Sequence, residues 1–532
     1  MASTNDDERL SVSVYLLKKA KTAEAKKSFK NFSKKKTYTL SEEFPDGRFF
    51  AMPAEPQPPG WLNAISELLG PNQVPKLTSQ FPGALLWVPY NGRTFVFAFG
   101  NGHTKVKDEW VVPDFGKVVA LSVVSQVQVR GMRAEQVFAK RHIADERAPM
   151  ASEIREFGFE ADRDLVAAVE GVPDKGFQEI FGKRVRGGTS FKFDLDLSRV
   201  PRTLHAMAER YDSNDHQLRW PQANNFVLVR DPVAVKRLDA QLGRCLATKQ
   251  SGQLISLSAP REVNGDKPYP QYFVIGRLTS APARTPYLAL AGWEGYLASR
   301  KASMDLQAAR ATRVHLLDDE IREIGSCSIY ECLGYEASLK GTTYVLSAGN
   351  WYAASNQFIV DTNAKLANLG MPIHPLTAWN GKHYEGDYNK SACAIDHELW
   401  LFDKELVHFG GGASRFEYCD IMHRPSRTLY FVKHPSGSAG VSHLCEQVRR
   451  TAEAFFSPDS GYRKKLAERI EKIGKGWETT WLQSRPKRHE WNLCLVLMGK
   501  ELNDLPFFAK CGIARLLGEL ERGGYNVTFQ AV

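Results

Sequence analysis

Residues 415–434, RFEYCDIMHRPSRTLYFVKH, decide the fold of the last third of this chain. Two largely apolar runs flank the turn-forming triplet Arg424-Pro425-Ser426, which predicts two antiparallel strands joined by a turn. The predicted strands are Arg415–Met422 and Thr428–His434. Since side chains alternate along a strand, a hairpin centred between residues 426 and 427 places Asp420 opposite Lys433. The hairpin is therefore expected to bring an acid and an amine together.

Regular elements are predicted on both sides of this hairpin. The helix Lys382–Ala394 and the strand Leu399–Val407 precede it. An apolar stripe at helical spacing from Val441 to Phe456 follows it. The remaining predicted elements are the strand Trp491–Met498, the helix Phe507–Arg522 and the strand Tyr525–Phe529. The predicted order is helix, three strands, helix, strand, helix and strand.

The preceding two thirds of the chain mix both periodicities. Asn91-Gly92 between two apolar runs predicts a tight hairpin, because a type I′ turn needs positive φ at both positions. Val118–Val129 is expected to be a strand and Asp162–Glu170 a helix. The predicted fold class is mixed α+β and α/β with several domains. They are an N-terminal α+β domain at 1–140, a central α/β region at 141–375 and a C-terminal domain at 376–532.

The charge of the chain is concentrated in two zones. The 532 residues carry a net charge of +10. Residues 1–36 hold ten basic and four acidic side chains, and residues 424–491 hold fourteen basic and seven acidic ones. Such zones favour contact with a polyanion, because neutralised phosphates release their counterions. For the N-terminal zone, a merely solvated basic run is an equally good interpretation.

Several classes of protein are excluded by what the chain lacks. No apolar run reaches the ~18 residues of a membrane helix, and the first residues lack the apolar core of a secretory signal. Eight cysteines stand singly, which is typical of reduced thiols, so the protein is expected to be cytoplasmic. No P-loop, HExxH or GxSxG motif is present.

The order of the C-terminal elements resembles the core of the restriction-endonuclease-like nucleases, the PD-(D/E)xK superfamily. The resemblance implies catalytic roles for Glu385 on the leading helix, Asp420 on the second strand, Lys433 on the third strand and Gln447 on the next helix. Glu385 and Asp420 would hold Mg²⁺ or Mn²⁺, and Lys433 would act at the scissile phosphate.

One position departs from the superfamily pattern. Phe431 stands where members carry an acid two residues before the lysine. Glu417 or Asp403 are the possible substitutes, although Glu417 points away from Asp420 if its strand is regular. The site is therefore either a variant or an inactive relative. An ordinary ion pair of Asp420 with Lys433 is the plain alternative, and burial of Asp420 would overturn the enzyme interpretation.

Basic side chains beside the predicted site are expected to contact the nucleic-acid backbone, and they are Arg449, Arg450, Lys464, Lys465, Lys487 and Arg488. Trp477 and Trp481, spaced four residues apart, are either base-stacking side chains or a packing pair.

The whole chain also resembles the bacterial "sporadically distributed protein" family, whose domain has no assigned function. The matching stretches are Trp61-Leu62, Phe97–His103, Asp114–Leu121, Glu156–Gly158, Asp162–Leu165, Val229–Pro232, Phe416–Asp420 and Leu505–Lys510. The patchy occurrence of that family is similar to that of phage-defence genes.

The sequence thus predicts a nuclease acting on DNA in defence against phage or mobile elements. The alternative is an inactive nucleic-acid-binding or sensor protein of a defence system. A partner encoded in the same operon is possible, and the oligomeric state is open.

Overall fold

A computed structural model describes most of the chain. The described residues are 9–34, 36–52, 56–59, 62, 75–136, 143–159, 164–248, 255–258, 270–279, 284–403, 405–408, 415–434, 438–473 and 476–532. They form a mixed α+β protein with five separate sheets. Two compact units are formed by residues 1–135 with 142–224 and by residues 136–141 with 225–532. No helix among the described residues is long and apolar enough to cross a membrane.

The first unit is built on a ten-stranded sheet with the strand order β2-β3-β4-β5-β1-β10-β9-β8-β6-β7. Its strands are β1 Leu10–Leu16, β2 Tyr38–Thr39, β3 Arg48–Met52, β4 Gly83–Tyr90, β5 Arg93–Gly100, β6 Val124–Gln136, β7 Ile143–Ser152, β8 Asp164–Pro173, β9 Val185–Gly187 and β10 Phe191–Leu195. Its helices are α1 Thr22–Phe32, α2 Phe115–Val123, α3 Lys175–Phe181, α4 Val200–Asp212 and α5 Asp215–Arg219.

The hairpin β4–β5 confirms the Asn-Gly prediction. Tyr90 pairs with Arg93, and Asn91 and Gly92 have φ angles of 47° and 71°, as a type I′ turn requires.

The division of the chain at residue 140 stays a prediction. In the structure, strands β6 and β7 lie on either side of this residue in the sequence and pair antiparallel.

The centre of the first unit differs from the prediction. The expected strand Val118–Val129 is instead the end of helix α2 followed by the start of β6. The expected helix at 162–170 is strand β8 from Asp164 onward. Residues 162 and 163 lie outside the described part of the chain. Helix α2 and strand β8 are buried along almost their whole length, so neither shows the alternation that separates helix from strand. Gly116 allows α2 to touch the sheet, since a Cβ there would lie 1.9 Å from the Ser190 carbonyl oxygen.

The second unit contains the remaining four sheets. The part up to residue 367 has a five-stranded sheet with the order β11-β18-β17-β16-β12 and a three-stranded sheet β13-β14-β15. Its strands are β11 Phe226–Leu228, β12 Ile255–Leu257, β13 Tyr272–Ile275, β14 Arg313–Leu317, β15 Glu323–Ser328, β16 Leu333–Leu339, β17 Thr342–Ser347 and β18 Asn350–Ala354. Its helices are α6 Pro232–Leu246, α7 Leu290–Ser299, α8 Leu306–Ala311, α9 Ile329–Cys332 and α10 Asn356–Ala367.

The C-terminal part of the second unit is built on the sheet β19-β22-β23-β24-β25 and a ribbon of β20 with β21. Its strands are β19 Leu399–Leu401, β20 Leu406–His408, β21 Arg415–Glu417, β22 Ile421–His423, β23 Thr428–Lys433, β24 Asn492–Leu497 and β25 Asn526–Ala531. Its helices are α11 Glu385–Ile395, α12 Ser438–Phe455, α13 Gly461–Ile473 and α14 Phe507–Arg522.

This C-terminal sheet separates two apolar cores. On one face, Tyr388 and Ala392 of α11 pack with Ile421, Tyr430 and Val432. The other face is covered by apolar side chains of α12, α13 and α14. Strands β19, β22 and β23 are antiparallel, and β24 and β25 continue parallel to β23. The predicted element order is therefore present, with the additional helix α13 and with two predicted strands each divided into two short ones.

Candidate functional site

The turn between β22 and β23 sets the position of Asp420. Ile421 pairs with Tyr430 and His423 with Thr428, so Asp420 lies beside Phe431. The predicted register, with Asp420 opposite Lys433, is wrong by two residues. The turn occupies the four residues 424–427, with Arg427 at a φ of 51°, so the hairpin is centred between residues 425 and 426. An even shift leaves each side chain on the same face of the sheet.

The Asp420 carboxyl group is buried. The residue is 2% exposed, and its Oδ2 accepts a hydrogen bond of 2.8 Å from the Val432 N–H. Burial raises the pKa of Asp420 well above its ordinary value, and repulsion by Glu417, Glu385 and Asp403 raises this pKa further, while the Val432 bond lowers it. This environment therefore favours the protonated form of Asp420 over the ionised form. This burial is the result that was expected to overturn the enzyme interpretation, so a nuclease function would require Asp420 to become accessible.

Glu385 and Lys433 meet at the end of β23. Lys433 Nζ lies 2.8 Å from Glu385 Oε1, and the His434 N–H donates to Glu385 Oε2 at 3.1 Å. Glu385 is the first residue of α11, so its carboxylate lies at the positive end of the helix. Both side chains are about one quarter exposed, at 28% and 25%. The amine is therefore paired with the helix acid and not with Asp420.

Gln447 contacts Glu417, the acid named from the sequence as a possible substitute for the missing strand acid. Gln447 Nε2 on α12 donates to Glu417 Oε2 at 3.2 Å. Strand β21 ends at Glu417 and β22 begins at Ile421, so the alternation of a regular strand does not continue from Glu417 to Asp420. The expectation that Glu417 points away from Asp420, which assumed a regular strand, therefore does not apply here. No local pattern in the sequence predicts the break.

Glu385, Asp403 and Glu417 all act electrostatically on Asp420, while Glu385 contacts the Lys433 amine and Glu417 contacts the Gln447 amide. The four acids do not form a preorganised cage. Among the described residues, three ligand atoms within 4.8 Å of one another occur only in the set His374, Asp396 and His423. Any divalent ion bound by the four acids would have to draw them together.

The set His374, Asp396 and His423 lies near the turn end of β22. His374 Nε2 is 2.7 Å from Asp396 Oδ2, and the two imidazole rings stack at 3.8 Å with an angle of 6° between them. The hydrogen bond that the Glu398 N–H donates to Asp396 lowers the pKa of Asp396 below its ordinary value, and the contact with His374 lowers it further. One metal ion cannot lie in the planes of two parallel stacked rings, so this set is not a metal site without rotation of a ring. The sequence carries no signal for this cluster, because its members are far apart in the chain.

The predicted backbone-contact residues divide into two groups. Arg449 pairs with Glu519 and Glu446, Arg450 with Glu446, and Lys487 with Glu490. Arg488 lies over the Tyr525 ring at 4.9 Å. Lys464 and Lys465 are exposed on α13. Local carboxylates therefore offset part of the charge that the sequence assigned to nucleic-acid contact.

The tryptophans of this region are packing residues. Trp477 stacks on Trp400 with ring centres 4.4 Å apart, and Trp481 lies 5.5 Å from Trp491. Arg424 covers the Trp481 ring at 5.1 Å. These contacts favour packing over base stacking, although each ring packs against a different tryptophan.

Trp477→Ala is expected to lower the free energy of unfolding by about 2 kcal/mol, because the variant loses a stacked, half-buried ring. Thermal or urea unfolding measures this loss. Tyr287→Ala is the matched control, since that ring is 68% exposed, and it should change stability little. A stable Trp477→Ala protein with weakened DNA binding would instead support base stacking.

Comparison with known proteins gives one match. The model of a family of unknown function (DUF6119) matches residues 12–532, and the chain belongs to that family. No curated protein and no solved structure matched the chain.

Proposed function

We propose that this member of the family is a metal-dependent nuclease that acts on DNA in defence against phage or mobile elements. In this proposal residues 376–532 form a restriction-endonuclease-like module. The support from the fold is the succession of α11, the antiparallel strands β19, β22 and β23, helix α12, and β24 parallel to β23. This succession matches the superfamily order described above.

The observation that carries the proposal is the electrostatic crowding of Asp420. Three other acids raise the pKa of a carboxyl group that is already buried, and Lys433 lies at the same end of the sheet. Such a cluster costs folding free energy unless a cation or a proton occupies it. A buried acid whose pKa is strongly perturbed by neighbouring charges is typical of functional sites.

The donor set suits a hard divalent cation. Carboxylate oxygens are the ligands that Mg²⁺ and Mn²⁺ prefer, and Glu385 and Asp420 would hold the ion, with Glu417 as the third acid. When bound, the metal polarises the phosphate and lowers the pKa of water.

The chain's own side chains have separate roles in this proposal. Asp420 would give up its proton, and Glu385 would exchange its ion pair with Lys433 for the ion. Lys433 would then be available to stabilise negative charge at the phosphate. Gln447 would keep Glu417 in position through the hydrogen bond of 3.2 Å. Lys464 and Lys465 are exposed on α13, so they would contribute to holding DNA.

A second candidate function is favoured by two observations. Phe431 replaces the usual strand acid and is fully buried, and Asp420 is bonded to the Val432 N–H. An inactive nucleic-acid-binding or sensor protein would keep both features without needing an open cleft. It would bind DNA with steep salt dependence and cleave none with any divalent metal.

A cleavage assay separates the two candidates. The full-length protein is incubated with Mg²⁺ or Mn²⁺ and with linear, nicked or single-stranded DNA. Metal-dependent cleavage supports the nuclease, and retained binding without cleavage supports the second candidate.

A further inference from the structure

A basic pocket lies in the first unit, on α1 and the strands that follow it. Its volume is about 560 Å³, and its lining residues are Lys26, Lys27, Lys30, Asn31, Thr37, Thr39 and Arg48. Every one of these side chains carries an N–H or O–H donor. None of the lining residues that the structure describes is acidic. The pocket therefore has the chemistry of an anion site.

The packing of α1 fixes the direction of its lysines. Phe29 is buried against Phe50, Trp87 and Trp110, with ring centres 5.7–6.1 Å apart. Since Phe29 anchors one face of α1, Lys27 and Lys30 remain exposed on the other side. These lysines are held on a rigid helix and not on a free tail, which favours a formed site over a merely solvated basic run.

Two further side chains of the pocket, one on α1 and one on β3, are also held in place by contacts. Lys26 Nζ lies 5.5 Å from the centre of the Trp87 ring, and Arg48 Nη1 donates to the Pro45 carbonyl oxygen at 2.9 Å. The acid closest in sequence, Glu24, is held by Lys21 at 2.7 Å and by Trp110 Nε1 at 3.1 Å. Its charge is thus already paired with a lysine outside the pocket.

We propose that this pocket binds phosphate groups of a nucleic-acid backbone. Four cations with hydroxyl and amide donors between them match successive phosphodiesters, which each carry one negative charge. Exposed lysines continue beyond the pocket, at Lys19 before it and at Lys36 after it. A small phosphate would leave these flanking charges unused, whereas a polymer would engage them. The choice of ligand rests on the proposed function, but the site itself does not.

The test is a binding measurement without metal, so that it does not depend on the acids of the second unit. A fluorescein-labelled DNA oligonucleotide is titrated with the full-length protein in EDTA. Lys27→Glu/Lys30→Glu should weaken binding at least about tenfold and make the dependence on salt concentration shallower. Lys27→Gln/Lys30→Gln should give a smaller loss in the same direction. Lys175→Glu/Lys192→Glu is the matched control, because both lysines are exposed in the same unit outside the pocket.

Each result decides the proposal. A loss specific to the pocket variants, with unchanged circular dichroism and melting temperature, supports it whether or not the protein cleaves DNA. Equal affinities of the wild type and the pocket variants overturn it, as does an equal loss in the control. Binding of inorganic triphosphate without binding of the oligonucleotide would also overturn it, in favour of a small phosphorylated ligand.

Discussion

Asp420→Asn is expected to lower metal-dependent DNA cleavage by the full-length protein at least about 10³-fold. The amide cannot supply the negative charge that a divalent cation needs, and a loss of about 4 kcal/mol in transition-state stabilisation corresponds to this factor. Lys433→Ala should cause a comparable loss, because it removes the only amine found beside the acids in the described site. Single-turnover cleavage of labelled DNA with saturating Mg²⁺ or Mn²⁺ measures both effects.

Two surface variants control for general damage. Asp387→Asn changes an exposed acid in the first turn of α11, two residues from Glu385, and Lys390→Ala removes an exposed lysine of the same helix. Both should cleave at the wild-type rate. If cleavage survives in Asp420→Asn and in Lys433→Ala, these residues are not the catalytic centre and the nuclease assignment of this site is wrong.

Without divalent metal, Asp420→Asn should stabilise the protein at alkaline pH, and the gain should grow as the pH rises. The folded-state pKa of Asp420 lies well above its ordinary value of 3.8. The folded protein therefore holds this proton more tightly than the unfolded chain does. The stability that the proton contributes is present at low pH and is lost as the pH rises from about 4 through the folded-state pKa. Asparagine imitates the protonated group and removes that loss.

Thermal unfolding over a pH series, with and without Mg²⁺, measures this effect. The wild type should gain stability when the metal is added, because a ligand that binds only the folded state stabilises it. Asp420→Asn should gain much less, and Asp387→Asn should follow the wild type. An Asp420→Asn variant that is less stable than the wild type at pH 8 would show that the ionised carboxylate is a structural partner. Equal gains from Mg²⁺ would show that Asp420 is not a ligand.

The sequence predicted elements best where a local pattern has one physical solution. Asn91-Gly92 led to the correct hairpin because positive φ at both positions suits few other residues. Helix α14 has the predicted bounds, since a polar face accompanies its apolar stripe. Helix α2 and strand β8 were predicted as the opposite type, because segments buried along almost their whole length lose the periodicity that distinguishes the two.

The candidate site was predictable only in part. The structure brings Lys433 to Glu385, two residues that the superfamily pattern had named. The contact of Gln447 with Glu417 depends on the break after β21, which is a tertiary effect without a sequence signal. The basic pocket of the first unit combines α1 with β2 and β3, so charge counting found the zone but could not show that a pocket forms there.

The position of β1 in the ten-stranded sheet has a consequence for synthesis of the chain. This strand pairs with β5 on one side and with β10 on the other. A nascent polypeptide that has emerged only to about residue 140 would therefore present one edge of its first strand without a neighbour. Strand β1 gains its second neighbour only after residues 191–195 have left the ribosome. We therefore expect the N-terminal sheet to complete its folding only when about two hundred residues have been synthesised.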